Sequence, residues 1–199
     1  MTTFLIVAAL LSAPAPAAKA VSKTGIPYVA DEKAGPADLV DAIRARRPGH
    51  KLWNLDRMLL NSPGFAKGWN TMFGAIRGQL SLPGMLREIP IMAIAVITKA
   101  EYEWVAHEPE FLKAGGTQAQ LAALKELKED PKLFDPKELL ALRLAVEMTQ
   151  EVQPRQATID QARSLLPDAQ VVELIGTIAG YNMVSRFLLA TGVDLEATP

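Results

Sequence analysis

The chain has 199 residues, 49% of them hydrophobic, which suits one globular domain with a sizeable core. Its 21 basic and 22 acidic residues nearly cancel, so no global field favours a nucleic acid partner. It contains no cysteine, which excludes disulfides, thiolate nucleophiles, thiolate metal ligands and peroxidatic thiol chemistry.

Residues 1–20 differ from the rest of the chain. An uncharged apolar run over 4–11 precedes an Ala- and Pro-rich stretch, and Ala18-Lys19-Ala20 fits the small-x-small pattern of a signal cleavage site. The apolar run is too short to cross a bilayer as a helix, and we predict no membrane span in the mature chain. We predict a signal peptide over 1–20 and export to the periplasm. The alternative is a loose apolar arm on a cytoplasmic protein.

Residues 21–35 contain Gly and Pro residues that interrupt regular secondary structure, and they are predicted to form an irregular arm. From Pro36 onward the signals are helical, and 36–199 is predicted to be one helical domain. The first helix extends from Pro36 to about Arg46. The short basic run over 44–47 is interpreted as its solvated end, where cations face the negative pole of the helix dipole.

Two further helices are predicted over 52–60 and from Ser62-Pro63 onward. The second carries five large apolar side chains at the spacing of one helix face, and this stripe is interpreted as core: Phe65, Trp69, Met72, Phe73 and Ile76.

A very apolar helix is predicted to begin at 81–84 and to reach about Ile97, with Pro90 bending or restarting it. A capping box from Thr98 to Glu101 is predicted to start the next helix, which ends at Gly115-Gly116. This break turns the two helices into a hairpin.

Two more capping boxes, over 117–120 and 135–138, predict further helix starts. Helices are then predicted to about Glu151, over 158–166 and over 168–190. Because no segment shows convincing strand alternation, we predict an all-α fold with a central helical hairpin.

The hairpin brings together the residues that are able to transfer a proton. Glu103 and His107 are spaced i, i+4 and share a helix face. Glu88 lies ten residues before Thr98 and His107 nine after it, so the three side chains are predicted to converge across antiparallel helices. A carboxylate and an imidazole can exchange a proton near neutral pH, and burial is expected to raise the pKa of Glu88.

Two alternatives stay open from the spacing alone. The cluster can be a buried ion pair that only fixes the register of the hairpin. A metal site at Glu103, His107 and Glu110 would need matching ligands from other helices, and we predict no metal and no cofactor.

Several motifs resemble the carboxymuconolactone decarboxylase family, which also contains alkyl hydroperoxidase D. They are Leu86-Arg87-Glu88, Glu101-Tyr102-Glu103-Trp104-x-x-His107, Ala114-Gly115-Gly116, the segment 134–138 and Gly180-Tyr181-Asn182-Met183-x-x-Arg186. The resemblance covers roughly residues 40–196. It implies an alkyl hydroperoxidase D-like helical fold and a homo-oligomer, a trimer or hexamer.

The hydroperoxidase branch has two cysteines where this chain has Ala100 and Glu103, whereas Glu88 and His107 match its proton relay. The resemblance therefore implies acid–base chemistry without cysteine redox steps, namely decarboxylation or isomerisation of a small carboxylated, lactone-like substrate.

The predicted catalytic residues are Glu88, His107 and Glu103. Tyr102 and Trp104 are expected to shape the pocket. A substrate carboxylate is expected to meet Arg87 or Arg186. The alternative function is a non-catalytic oligomeric protein that binds a small molecule in the same pocket.

Overall fold

A computed structural model describes residues 20–196, and the predicted signal segment therefore lies outside the described residues except for Ala20. Within that range the chain forms α helices, two 3₁₀ turns and one isolated β-bridge, with no strand, so the predicted all-α class is confirmed. The helices are α1 (Ala37–Arg44), α2 (Asn54–Leu59), α3 (Pro63–Gly78), α4 (Gly84–Thr98), α5 (Glu101–Lys113), α6 (Gln118–Lys125), α7 (Pro136–Gln150), α8 (Gln156–Leu165) and α9 (Asp168–Thr191). None of the helices in 20–196 combines the length and apolarity needed to cross a bilayer.

Helix α4 is the centre of the fold and packs against α5, α6, α7 and α9. Its side chains from Ile89 to Ala95 are all buried, as expected of a helix that is apolar on every side. Of the two effects predicted for Pro90, a bend or a restart, the restart does not occur, because α4 continues through it to Thr98. Tertiary packing around α4 outweighs the single backbone hydrogen bond that proline removes.

The turn between α4 and α5 falls where it was predicted, but the predicted capping box is wrong. The Thr98 hydroxyl donates to the carbonyl of Ile94 at 2.7 Å and belongs to the end of α4. Lys99 then adopts a left-handed conformation at φ 60°, and Ala100 begins α5 without a side-chain cap. The other two capping boxes are confirmed, at Thr117 and Asp135.

The segment predicted as an irregular arm is attached to the end of α9. The Tyr28 hydroxyl donates to Asp194 Oδ2 at 3.2 Å and accepts from the Asp194 backbone N–H at 2.8 Å. The Lys23 N–H donates to the Gly192 carbonyl at 3.0 Å. These bonds join the start and the end of the described chain beside the hairpin turn.

The aromatic stripe of α3 is only partly core. Trp69, Phe73 and Ile76 are buried, whereas Phe65 is 46% and Met72 39% exposed. The stripe is wider than the contact that α9 offers to α3, so its outer edge stays in solvent.

Candidate active site

Glu88, Glu103 and His107 converge across the α4–α5 hairpin, as the spacing predicted. The His107 Nδ1 atom lies 2.7 Å from Glu88 Oε2, and His107 Nε2 lies 3.5 Å from Glu103 Oε2. All three side chains are buried. The imidazole is therefore held between two carboxylates, one from each helix.

Glu88 is a firmly anchored carboxylate. Burial alone would raise its pKa, but hydrogen bonds from His107 and from Arg87 Nε, the latter at 2.9 Å, outweigh burial and lower the pKa. The expected rise in the pKa of Glu88 is thus wrong, because that expectation weighed burial without the hydrogen bonds that His107 and Arg87 donate. With Glu88 ionised, the proton of the His107–Glu88 hydrogen bond lies on His107 Nδ1.

This tautomer leaves the lone pair of His107 Nε2 facing away from Glu88. Arg77 Nη1 lies 3.3 Å from Nε2 and can donate to it. The ring of Tyr181 meets the imidazole edge-on, with centroids 5.0 Å apart. Glu88, Arg77 and Tyr181 therefore fix both the tautomer and the orientation of the ring.

Glu103 differs from Glu88 in its partners. Its Oε2 atom is buried and forms no hydrogen bond with any residue in the described range. Burial raises the pKa of Glu103, against the opposing charges of His107, Arg77 and Arg47. The raised pKa extends the pH range in which this carboxyl group is protonated, so Glu103 is a better proton donor than Glu88.

A cavity lies against this cluster. Its volume is about 50 Å³, and it is walled by His107 and Glu103 together with Tyr102, Tyr181 and the rings of α3. It shares lining residues with a more open basin of about 630 Å³. The inner space holds a small group or a few water molecules, so a larger ligand would extend into the basin.

The structure separates the four predicted pocket residues. Tyr102 lines the cavity and donates its hydroxyl to Glu196 Oε1 at 2.7 Å. Trp104 does not line it: its Nε1 donates to Glu108 Oε2 at 2.9 Å, and Lys125 of α6 lies over its half-buried ring.

The two predicted carboxylate-binding arginines also lie outside the cavity lining. Arg87 is bonded to Glu88, and Arg186 is bonded to Asn182 on its own helix at 2.7 Å. In the structure, neither guanidinium lies on the helix face that borders the cavity.

Three other arginines line the cavity instead, namely Arg46, Arg47 and Arg77. Arg47 makes a paired contact with Asp56 at 2.8 and 2.6 Å, and its side chain is only 16% exposed. The interpretation of 44–47 as a solvated helix end is therefore wrong for Arg47, whereas Arg46 is exposed as expected and also lines the cavity. The basic run itself was visible, but no local signal shows that α3 and α5 pack beside it.

Within residues 20–196, no group of three or more His, Asp or Glu side chains is arranged to hold a metal ion. Glu110, the third residue of the metal alternative, lies 3.5 Å from Arg77. A cation in that position disfavours a second cation beside it.

Comparison with known proteins supports the resemblance. A model of the carboxymuconolactone decarboxylase family matches residues 63–147, which span α3 to α7 and include Glu88, Glu103 and His107. The resemblance found in the sequence motifs is thus confirmed over this segment. A search of curated proteins found no match.

Solved structures show the same fold. The apo debrominase Bmp8 has a TM-score of 0.72 at 16% identity, covering 85% of this chain and 91% of that one. An uncharacterized peroxidase-related protein from Silicibacter sp. TM1040 has a TM-score of 0.69 at 18% identity, covering 86% and 93%. A Bmp8 variant in complex with 2,3,4-tribromopyrrole has a TM-score of 0.71 at 14% identity, covering 91% and 94%.

Proposed function

We propose that this chain, whose residues 63–147 match the carboxymuconolactone decarboxylase family, is an acid–base enzyme. It would decarboxylate or isomerise a small carboxylated, lactone-like substrate. The observation that carries the proposal is the buried row of Glu88, His107 and Glu103, in which the last two border a cavity. The raised pKa of Glu103 suits a proton donor, and the lowered pKa of Glu88 suits an ionised partner that supports the His107 imidazole.

In this mechanism His107 Nε2 is the base and Glu103 the acid. Glu88 accepts the Nδ1–H bond and stabilises the imidazolium that forms when Nε2 takes a substrate proton. The protonated Glu103 carboxyl returns a proton to another carbon, which completes an isomerisation.

Decarboxylation uses the same groups. The bond between the framework and the carboxylate breaks, carbon dioxide leaves, and the electron pair passes into the conjugated lactone. A proton from the protonated Glu103 carboxyl group then adds to the carbon that carries the pair. The apolar walls exclude water and so strengthen these interactions.

Thiol peroxidase chemistry does not fit this chain. Such a cycle needs one thiolate to attack the peroxide and a second thiol to resolve the product. The sequence has no cysteine, and Ala100 and Glu103 stand at the two positions that the family resemblance assigns to thiols. We expect metal-free protein to show no sustained turnover of an organic hydroperoxide with a dithiol donor.

The second candidate function is non-catalytic binding of a small molecule in an oligomer. The modest inner volume of about 50 Å³ favours it, because a cavity this small leaves limited room for reacting groups. In that case the buried cluster would only fix the hairpin.

Assembly and location complete the proposal. We expect a homo-oligomer, trimer or hexamer, because of the family resemblance and because Phe65, Met183 and Leu189 are large apolar side chains exposed on α3 and α9. Sedimentation of a monomer at micromolar concentration would contradict this. Export to the periplasm would be shown by protein in the periplasmic fraction whose N-terminus begins directly after Ala20.

The decisive experiment is a screen of purified protein against lactones and unsaturated carboxylic acids. Carbon dioxide release reports decarboxylation, and incorporation of deuterium from solvent reports isomerisation. The proposal expects activity that requires His107 and Glu103. Bound ligands without turnover would favour the binding function.

A further inference from the structure

Three guanidinium groups lie at the opening between the inner cavity and the outer basin. Arg46, Arg47 and Arg77 line both spaces, together with Trp53. A molecule that reaches His107 from the basin therefore passes these side chains. We call the four residues the arginine neck.

Carboxylates do not fully balance the charges of the neck. Arg47 is paired with Asp56, and Arg77 lies 3.5 Å from Glu110. Arg46 instead donates to the neutral Asn70, to its carbonyl at 2.9 Å and to its side-chain oxygen at 2.5 Å. Burial, followed by the charges of Arg47 and Arg77, lowers the pKa of Arg46, yet a guanidinium stays charged at neutral pH.

The backbone of α3 sets the position of this surplus cation. Asn70, Gly74 and Arg77 follow one another on one face of α3. Arg46 lies across that face, with its Nε 3.7 Å from where a Cβ of residue 74 would stand. The bonds to Asn70 thus hold its guanidinium beside the opening, where it is also exposed to solvent.

The neck also lies next to the proposed chemistry. Arg77 Nη1 is 3.3 Å from His107 Nε2. Trp53 and Trp69 contribute flat apolar surfaces to the cavity wall. Burial raises the pKa of Glu103, which reduces the repulsion that this carboxyl group exerts on an incoming anion.

We propose that Arg46 and Arg77 bind the carboxylate of a small, flat organic acid at the arginine neck, with its apolar body against the cavity wall. This inference rests on the proposed function and names the residues that would orient its substrate. Arg46 is a positioning residue, and Arg87 and Arg186 take no part. Paired hydrogen bonds from guanidinium to carboxylate give both affinity and direction.

Benzoate and benzamide are suitable probes because they share shape but differ in charge. Trp53 and Trp69 line the cavity, so tryptophan fluorescence reports occupancy. We expect benzoate to bind at least about tenfold more tightly than benzamide, as for hydrogen bonds to a charged group. Added salt should weaken only benzoate.

Arg46→Gln should weaken benzoate about tenfold and leave benzamide unchanged. Arg46→Lys keeps the charge and should recover part of the loss. Arg163→Gln, which changes an exposed arginine of α8, is the matched control and should alter neither affinity. Unchanged benzamide binding in Arg46→Gln also shows that the variant is folded.

Equal binding of benzoate and benzamide, or benzoate binding that survives Arg46→Gln, would overturn the inference. The titration needs no turnover, so failure of the inference can be told apart from failure of the proposed function. Arg46-dependent benzoate binding in a protein without activity would keep the inference and remove the enzyme. Turnover that is insensitive to Arg46→Gln would keep the proposed enzyme and remove the inference about Arg46.

Discussion

Two of the buried carboxylate clusters in residues 20–196 differ in how their oxygens are used. In the first, at the junction of α7 and α8, Glu147 accepts from the Arg155 N–H at 2.9 Å, from Arg155 Nε at 2.8 Å and from the Thr158 hydroxyl at 2.8 Å. In the second, at the hairpin, Glu103 keeps a buried oxygen without a hydrogen bond among the described residues.

The difference follows from what each cluster borders. Glu147 is served by donors of its own connecting segment and is absent from the cavity lining, so its bonds hold α8 on α7. Glu103 faces the cavity, where a ligand can supply the missing donor. Burial of a carboxylate alone is thus a poor sign of function, whereas an unused buried oxygen beside a cavity is a good one.

The largest expected effect is at the imidazole. His107→Gln preserves a hydrogen-bonding group but removes the base, so activity on the substrate found by screening should fall by about 10²–10⁴-fold. The control is His50→Gln, at the other histidine of the chain, which is exposed. Full activity in His107→Gln would remove the imidazole from the chemistry.

At the structural cluster the effect should be on folding instead. Glu147→Ala leaves the buried Thr158 hydroxyl without its acceptor, and we expect a loss of about 2 kcal/mol in the free energy of unfolding. Urea denaturation measures this, with the exposed Glu151→Ala as control. Activity below the denaturation range should be unchanged. A stable but inactive Glu147→Ala protein would contradict the purely structural role assigned to Glu147.

The pH dependence of stability should distinguish the two carboxylates of the hairpin. The pKa of Glu103 is raised in the folded protein, so the fold favours its neutral form and loses stability as pH rises above the ordinary value of 4.5. Glu103→Gln removes this loss, and its stability relative to the native protein should grow from pH 4 to pH 8 in urea unfolding.

Glu88 should show the opposite sign. Its pKa is lowered, so its contribution to stability is present above 4.5 and is lost as pH falls through the folded value. Glu88→Gln should therefore be less stable than the native protein at pH 7, with a difference that shrinks in acid. The same trend for both variants would contradict the assignment of Glu103 as the acid.

The smallest effect is expected at Arg186. Its guanidinium bonds the carbonyl and side chain of Asn182 on its own helix, away from the cavity lining. Arg186→Gln should change benzoate affinity and activity less than twofold. A large loss would place this residue in ligand binding, as the sequence first suggested.

Local signals in the sequence predicted the helices and the convergence of Glu88, Glu103 and His107 well, because caps and i, i+4 spacing act within a few residues. Even the error at Thr98 did not move the turn, since Lys99 in a left-handed conformation ends α4 at the same place. The distance of each site residue from that turn was enough to align them.

The sequence by itself determined the all-α class, the helix order, the absence of thiol chemistry and the convergence of Glu88, Glu103 and His107. Only the tertiary structure decided which arginines face the cavity, because that depends on how α1, α3 and α5 pack together. It also decided the opposite pKa shifts of Glu88 and Glu103. Those shifts arise from donors and burial supplied by residues that are close in space, whatever their separation along the chain.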